Sequence, residues 1–192
     1  MKLLLCITGA SGVIYGKRLL EILSETEDVE VELIISEAGK DLLKRELDIQ
    51  LEDLSQMADE VYDSEDLDSP PSSGSSLYDA MAIVPCSMSS LSKIATGVSD
   101  NLITRAAAVF LKEDRKLLLT PRETPMTTTW LKNMHELSEE GVIVLPAMPG
   151  FYHDPESIDD IVDFIVGKIL DSLEIEHLLF ERWNDKMAKG SE

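Results

Sequence analysis

The chain has 192 residues, and its 17 Lys and Arg are outnumbered by 37 Asp and Glu, so the formal net charge at pH 7 is −20. That charge argues against nucleic acid or an anionic membrane as the main partner, because both need a basic protein face. No apolar run approaches the roughly 20 residues of a membrane span, and Cys6 and Cys86 are too few for a disulfide framework. We expect a reduced, cytoplasmic protein whose acidity reflects either a solvated surface or adaptation to high salt.

The predicted elements of the first half alternate between strands and helices. The apolar spacing predicts a strand at 2–8, a helix at 13–24, a strand at 29–36, a helix at 37–47, a short helix at 51–60 and a weak strand at 61–62. A segment rich in Pro, Ser and Gly then predicts a loop at 63–76.

The second half repeats the pattern, with strands at 81–85, 116–120 and 142–145 and helices at 89–96, 101–113 and 127–139. A last helix is predicted to begin with Asp154 as its cap and Pro155 in its first turn. We expect one domain over residues 1–175, and a C-terminal tail over 176–192 that packs on a neighbouring subunit.

Strands joined by helices predict a three-layer α/β fold, Rossmann-like or flavodoxin-like, with a parallel sheet between helices. Such sheets bind ligands at the carboxyl ends of their strands. The candidate site therefore comprises the loops at 9–12, 36–37, 85–90 and 121–125.

The first of these loops, Gly9-Ala10-Ser11-Gly12, links a strand to a helix. Its small residues would let backbone N–H groups approach a phosphate at the helix N-terminus. The glycine spacing is not that of the dinucleotide fingerprint. Short-chain dehydrogenases have a similar first turn, but no tyrosine of this chain has a lysine four residues later, which argues against an NAD(P) oxidoreductase.

The loop at 85–90 offers hydroxyls and backbone amides to an anionic or polar cofactor. Cys86 within it is either a nucleophile or a small buried thiol. The three histidines are scattered along the chain, which argues against a zinc site and leaves Cys86 without an evident base.

Three features supply cations. Arg105 and Lys112 are seven residues apart on one helix face, where they would bind an anion or form a solvated stripe. Between two prolines, Arg122 could grip a phosphate and Glu123 could act as a general acid or base, unless the two form a plain surface ion pair. Lys168, at the edge of the last helix's apolar stripe, could reach towards a pocket.

Taken together, six segments resemble the UbiX-like flavin prenyltransferases over nearly the whole chain. They occur in the family's order at 8–12, 73–76, 85–87, 101–107, 121–125 and 149–153. The resemblance implies transfer of a dimethylallyl group from dimethylallyl monophosphate to N5 and then C6 of reduced FMN, without a metal. It also implies that prenylated FMN passes to UbiD-like decarboxylases, and that the protein is a homo-oligomer, a dodecamer, with active sites at subunit junctions.

The resemblance also implies roles for individual residues. FMN would be held by Gly9, Ala10, Ser11, Ser36, Ser87, Met88, Ser89, Ser90 and Arg122. The donor's phosphate would be held by Arg105, Lys112, Arg122, Lys168 and Tyr152, and Trp183 would offer a π face to the allyl cation. Proton loss from C6 would be assisted by the phosphate, Ser11, Glu46 or Glu123.

Two departures and two alternatives stay open. Leu67 stands where some relatives have Trp, and Lys168 replaces an Arg that is common in the family. One alternative is an FMN-dependent cysteine decarboxylase of the same fold, although the segment at 125–130 lacks the Asn typical of those enzymes. The other is a non-catalytic flavin carrier.

Overall fold

The computed structural model describes residues 1–182, and its contacts divide the chain into two compact units, one ending at Pro146 and the other beginning at Ala147. The first unit contains a six-stranded sheet in the order β3-β2-β1-β4-β5-β6, with every pair parallel. The strands are β1 (Lys2–Ile7), β2 (Glu30–Ile35), β3 (Glu60–Asp63), β4 (Ala80–Cys86), β5 (Lys116–Pro121) and β6 (Ile143–Val144). The predicted parallel α/β fold is confirmed.

Helices of the first unit cover both faces of this sheet. They are α1 (Val13–Ser24), α2 (Glu37–Leu42), α3 (Leu51–Ser55), α4 (Met88–Ala95), α5 (Leu102–Lys112) and α6 (Thr128–Glu139). The π-helical turn Leu43–Leu47 extends α2, and a 3₁₀ turn, Pro70–Ser72, lies in the predicted loop. The short helix predicted at 51–60 ends earlier, at Ser55, and β3 begins at Glu60, which pairs with Glu32 of β2.

The strands are apolar runs without alternation because both of their faces are buried. In β1 every residue from Leu3 to Ile7 is fully buried. The Cys6 side of the sheet packs against α4, α5 and α6, whereas α1 lies on the Ile7 side. A Cβ at Gly16 would lie 2.3 Å from the carbonyl oxygen of Val84, so glycine lets α1 pack directly on the sheet.

In the second unit, the main element is α7 (Ile158–Leu173). The prediction that Asp154 caps this helix is wrong, because Ser157 is the N-cap. The Ser157 hydroxyl accepts from Asp160 N at 3.1 Å, and the Asp160 carboxylate accepts from Ser157 N at 2.9 Å. This reciprocal pair satisfies two of the helix's first amides, so the helix begins after Pro155.

The predicted division at residue 175 stays a prediction, and most of the predicted tail, from Trp183 onward, lies outside the described residues. Over residues 1–182, no helix combines the length and the apolar character that a membrane crossing requires.

Candidate active site

The loops after β1 and β4 are joined at the carboxyl edge of the sheet by Thr8. Its hydroxyl donates to the carbonyl oxygen of Pro85 at 2.9 Å and accepts from Ser87 N at 2.8 Å. Thr8 is 1% exposed, so these bonds are protected from water. The loops at 9–12 and 85–90 therefore form one surface.

Close packing shapes the loop at 9–12. A Cβ at Gly9 would lie 2.5 Å from that of Ala38, so only glycine allows this approach to α2. Gly12 has a φ of 101°, a left-handed conformation that favours glycine. Ala10 is buried between them, while Ser11 is exposed at the rim.

Two further predicted residues cap helices at the same edge. The Ser36 hydroxyl accepts from Gly39 N at 3.1 Å at the start of α2, and the Ser87 hydroxyl accepts from Ser90 N at 3.1 Å at the start of α4. Helix N-termini carry partial positive charge and favour anions. Ser89 is exposed, but the Met88 side chain lies in the core, so Met88 offers a ligand only its backbone.

Glu46 is brought to the same loop from the π-helical turn. Its Oε2 accepts from Gly12 N at 2.9 Å and from Val13 N at 3.3 Å. The carboxylate thus caps α1, which has no side-chain cap of its own at Gly12. Donors for a bound phosphate must then come from the 9–11 backbone, from α2 and α4, and from a side chain.

Arg122 provides that side chain at the end of β5. Its Nε donates to the carbonyl oxygen of Ser11 at 2.8 Å, and its charge acts on Tyr15, whose pKa is nevertheless raised by burial. Next to it, Glu123 Oε1 accepts from Thr124 N at 3.0 Å. The structure therefore gathers the predicted loop residues with Arg122, Glu123 and Glu46 at one edge.

Arg105 and Lys112 lie elsewhere. Arg105 Nε donates to the carbonyl oxygen of Ser72 at 3.1 Å. Lys112 Nζ is 3.0 Å from Glu113 Oε1 and lowers the pKa of that carboxyl group. A Cβ at Gly74 would lie 3.2 Å from Lys112 Nζ, so both cations border the loop at 72–76.

The distance between these cations and Arg122 follows from the topology. Lys112 ends α5, close to where β5 begins, and Arg122 follows the end of β5. A six-residue strand spans about 20 Å. One chain therefore does not bring Lys112 and Arg122 together.

In the second unit, Tyr152 stands edge-on to Phe164, with ring centroids 5.7 Å apart. Lys168 is exposed on α7, with Nζ 3.4 Å from Asp171 Oδ2. Trp183 lies outside the described residues.

Cys86 has the properties of a buried thiol. It is fully buried, and burial raises its pKa to about 12, so very little thiolate exists at neutral pH. This supports the second of the two interpretations of its sequence. In residues 1–182, no three His, Cys, Asp or Glu side chains are grouped to hold a metal ion, and independence from metal stays a prediction.

Sequence reasoning missed one residue in each of these two places, Thr8 at the sheet edge and Arg115 beside the loop at 72–76. Thr8 joins two loops far apart in sequence, and Arg115 donates from NH1 to Ser76 O at 2.6 Å and from NH2 to Gly74 O at 2.7 Å. Both act through distant backbone carbonyls, for which no local pattern gives a signal.

The comparisons with known proteins agree with this arrangement. A family model described as Flavoprotein matches residues 1–170. The flavin prenyltransferase UbiX of Methanocaldococcus jannaschii is 50% identical over 183 residues, covering 95% of this chain and 98% of that protein.

Solved structures give the same result. A dodecameric FMN-dependent UbiX-like decarboxylase from Escherichia coli O157:H7 superposes with a TM-score of 0.94 at 43% identity, over 95% of this chain and 99% of that one. AnUbiX in complex with FMN and dimethylallyl pyrophosphate has a TM-score of 0.93 at 39% identity, over 95% and 97%. With half of its residues shared along nearly its full length, the chain belongs to the UbiX flavin prenyltransferase family, whose members are transferases.

Proposed function

We propose that this protein transfers the dimethylallyl group of dimethylallyl monophosphate to N5 and then C6 of reduced FMN. The observation that carries the proposal is the joining of three strand-end loops by Thr8 and Arg122, in a chain that belongs to the flavin prenyltransferases. When bound, FMN supplies the nucleophilic N5 and C6 atoms. The protein must bind FMN, bind the leaving phosphate and accept the C6 proton.

The donor set at the sheet edge fits FMN. A ribityl chain and phosphate need many short-range hydrogen-bond donors, which the backbone N–H groups of Gly9 and Ser11 and the N-termini of α2 and α4 can offer. The Ala10 N–H already donates to the Thr8 carbonyl oxygen at 2.8 Å. We assign the full FMN site to Gly9, Ala10, Ser11, Ser36, Ser87, Met88, Ser89, Ser90 and Arg122. Arg122 donates to Ser11 through its Nε–H, so its two terminal nitrogens can also donate to a bound anion.

The leaving phosphate needs cations, since breaking the allylic C–O bond concentrates negative charge on it. Arg122 offers one from its own chain. Arg105 and Lys112 lie at the opposite end of β5, so we propose that they serve the site of a neighbouring chain. This requires a homo-oligomer with sites at subunit junctions, and the dodecameric relative supports a dodecamer.

The remaining phosphate contacts are proposed for Lys168 and the Tyr152 hydroxyl, and the allyl cation is proposed to face Trp183. The positive side chains replace a divalent cation, so the reaction would proceed without metal. Their charge acts at short range, where the overall charge of −20 is screened by salt.

Loss of the C6 proton needs a base. Glu123 follows Arg122 directly, and Glu46 is anchored beside Ser11 by its bonds to Gly12 and Val13. We propose that these three residues, Glu123, Glu46 and Ser11, accept or relay that proton. Prenylated FMN would then pass to a UbiD-like decarboxylase in the cytoplasm, where Cys6 and Cys86 stay reduced.

The test is a metal-free reaction. Purified protein with chelator, reduced FMN and dimethylallyl monophosphate, kept free of oxygen, should yield a flavin heavier by one C5 unit in mass spectrometry. Flavin of unchanged mass, beside a positive control with an active relative, would contradict the proposal. Decarboxylation of a cysteine peptide under those conditions would favour the cysteine decarboxylase instead.

A further inference from the structure

The chain after α7 folds back onto that helix. A Cβ at Gly167 would lie 2.5 Å from a ring carbon of Phe180 and 2.6 Å from one of His177. Glycine at this position therefore lets the 177–182 segment pack directly on α7. The next residue is Lys168, the α7 cation proposed for the leaving phosphate.

Asp171, one turn further along α7, accepts the polar groups of this segment. Its Oδ1 accepts from Arg182 NH2 at 2.8 Å and from His177 Nε2 at 3.2 Å. Its Oδ2 accepts from Arg182 NH1 at 3.2 Å and from Lys168 Nζ at 3.4 Å. One carboxylate therefore joins two cations and a histidine.

The His177 contact is directional. Its Nδ1 accepts from Leu179 N at 3.2 Å, so in the neutral ring the proton is on Nε2, which donates to Asp171. The His177 side chain is 3% exposed, so this bond is shielded from water. The Asp171 carboxylate is thus held in one orientation by a buried donor, whereas Lys168 is 47% exposed.

Lys168 and Arg182 contact the same carboxylate oxygen, so their charged groups lie within about 7 Å of each other. A single phosphate can bridge two cations at that spacing, because its oxygens accept hydrogen bonds in different directions. We propose that Asp171 is a positioning residue that holds Lys168 and Arg182 together so that both meet the leaving phosphate of the allylic donor. This rests on the proposed function.

A carboxylate beside two cations could instead compete with the phosphate. The geometry argues against competition. Arg182 makes two hydrogen bonds to the Asp171 carboxylate, so its positive charge already balances the negative charge of Asp171 and lowers the pKa of that carboxyl group. What Asp171 adds for Lys168 is orientation, since an exposed four-carbon side chain otherwise samples many rotamers.

The test measures binding without turnover. Protein loaded with oxidised FMN, which is not a nucleophile, is titrated with dimethylallyl monophosphate. Asp171→Asn should raise the Kd by about 5- to 10-fold, the effect of losing one charge-assisted contact, while FMN affinity stays within about 2-fold. Asp159→Asn, on the exposed first turn of α7, is the matched control and should change neither.

Turnover provides the second readout. In Asp171→Asn, the KM for the donor should rise with kcat nearly unchanged, and Asp171→Glu should recover part of the loss. Arg182→Gln should raise KM similarly, and the double variant should lose less than the sum of the two single effects, because part of the Asp171 effect acts through Arg182. An unchanged or lowered KM in Asp171→Asn, or fully additive effects, would overturn the inference.

Two controls separate the possible failures. Thermal melting of each variant shows whether a KM change reflects loss of folding, and Asp171→Glu carries the test if Asp171→Asn does not fold. Wild-type protein that makes no prenylated flavin refutes the proposed function; wild-type activity with an unaffected Asp171→Asn refutes only the positioning role.

Discussion

Arg122 and Ser11 are 111 residues apart in sequence, yet the Nε of Arg122 donates a 2.8 Å hydrogen bond to the backbone oxygen of Ser11. This bond ties the loop after β5 to the loop after β1. It places a permanent positive charge beside the loop at 9–12. In our proposal, this one guanidinium would serve both the flavin and the leaving phosphate.

The first prediction concerns that bond. Arg122→Lys keeps the charge but loses the planar fork and the Nε donor, so FMN affinity should fall by about 10- to 100-fold. Fluorescence titration with FMN measures this. Arg18→Lys, on α1 beside Glu21, is the matched control and should bind as wild type. Equal FMN affinity in both variants would remove Arg122 from the flavin site.

The second prediction concerns Glu123. Glu123→Gln retains an oxygen that can accept from Thr124 N, so the loop should keep its shape and FMN binding should be unchanged. The amide cannot take up a proton, so turnover should fall by about 100-fold or more. Single-turnover flavin spectroscopy measures the rate. Glu136→Gln on α6 is the control, and an unaltered rate in Glu123→Gln would exclude Glu123 from proton transfer.

The sequence predicted the fold well where the signal is local. The apolar runs at 2–8 and 116–120 are strands β1 and β5, and the apolar spacing at 13–24 is α1. The start of α7 was misplaced because both Asp154 and Ser157 are capping residue types, and only the reciprocal bond with Asp160 distinguishes them.

Part of the candidate site could be predicted because it follows from the order of strands and helices. Parallel topology places strand-end loops at one edge, so Ser11, Ser87 and Arg122 could be grouped without coordinates. The separation of Lys112 from Arg122 depends on the order of elements around β5 and was not anticipated. The Asp171 cluster depends on the chain folding back at Gly167, a contact that no helical periodicity reveals.

The third prediction follows from that separation. If Lys112 completes the site of a neighbour, Lys112→Ala and Arg122→Ala proteins should each be inactive alone. Hetero-oligomers of the two should regain activity at up to about one quarter of their sites, since random mixing pairs intact residues at that frequency. Co-expressed, doubly tagged protein is assayed for prenyl transfer. Absence of any recovery would indicate that both residues act within one chain.

The fourth prediction concerns Cys86. Because burial raises its pKa to about 12, the native protein should resist alkylation by iodoacetamide at pH 8, and modification should need unfolding. Cys86→Ala should keep its prenyl transfer activity within about 2-fold, although loss of a buried side chain will lower stability. Intact mass spectrometry follows alkylation. Rapid alkylation of Cys86 in the native protein, with loss of activity, would indicate that Cys86 acts as a nucleophile.

The most direct test is a structure of the assembled protein with FMN and dimethylallyl monophosphate bound. We expect the flavin at the edge formed by the 9–12 and 85–90 loops, and one donor phosphate contacted by Arg122 of one chain and by Lys112 of its neighbour. A phosphate bound away from Arg122, or Lys112 directed away from every flavin in the assembly, would contradict it.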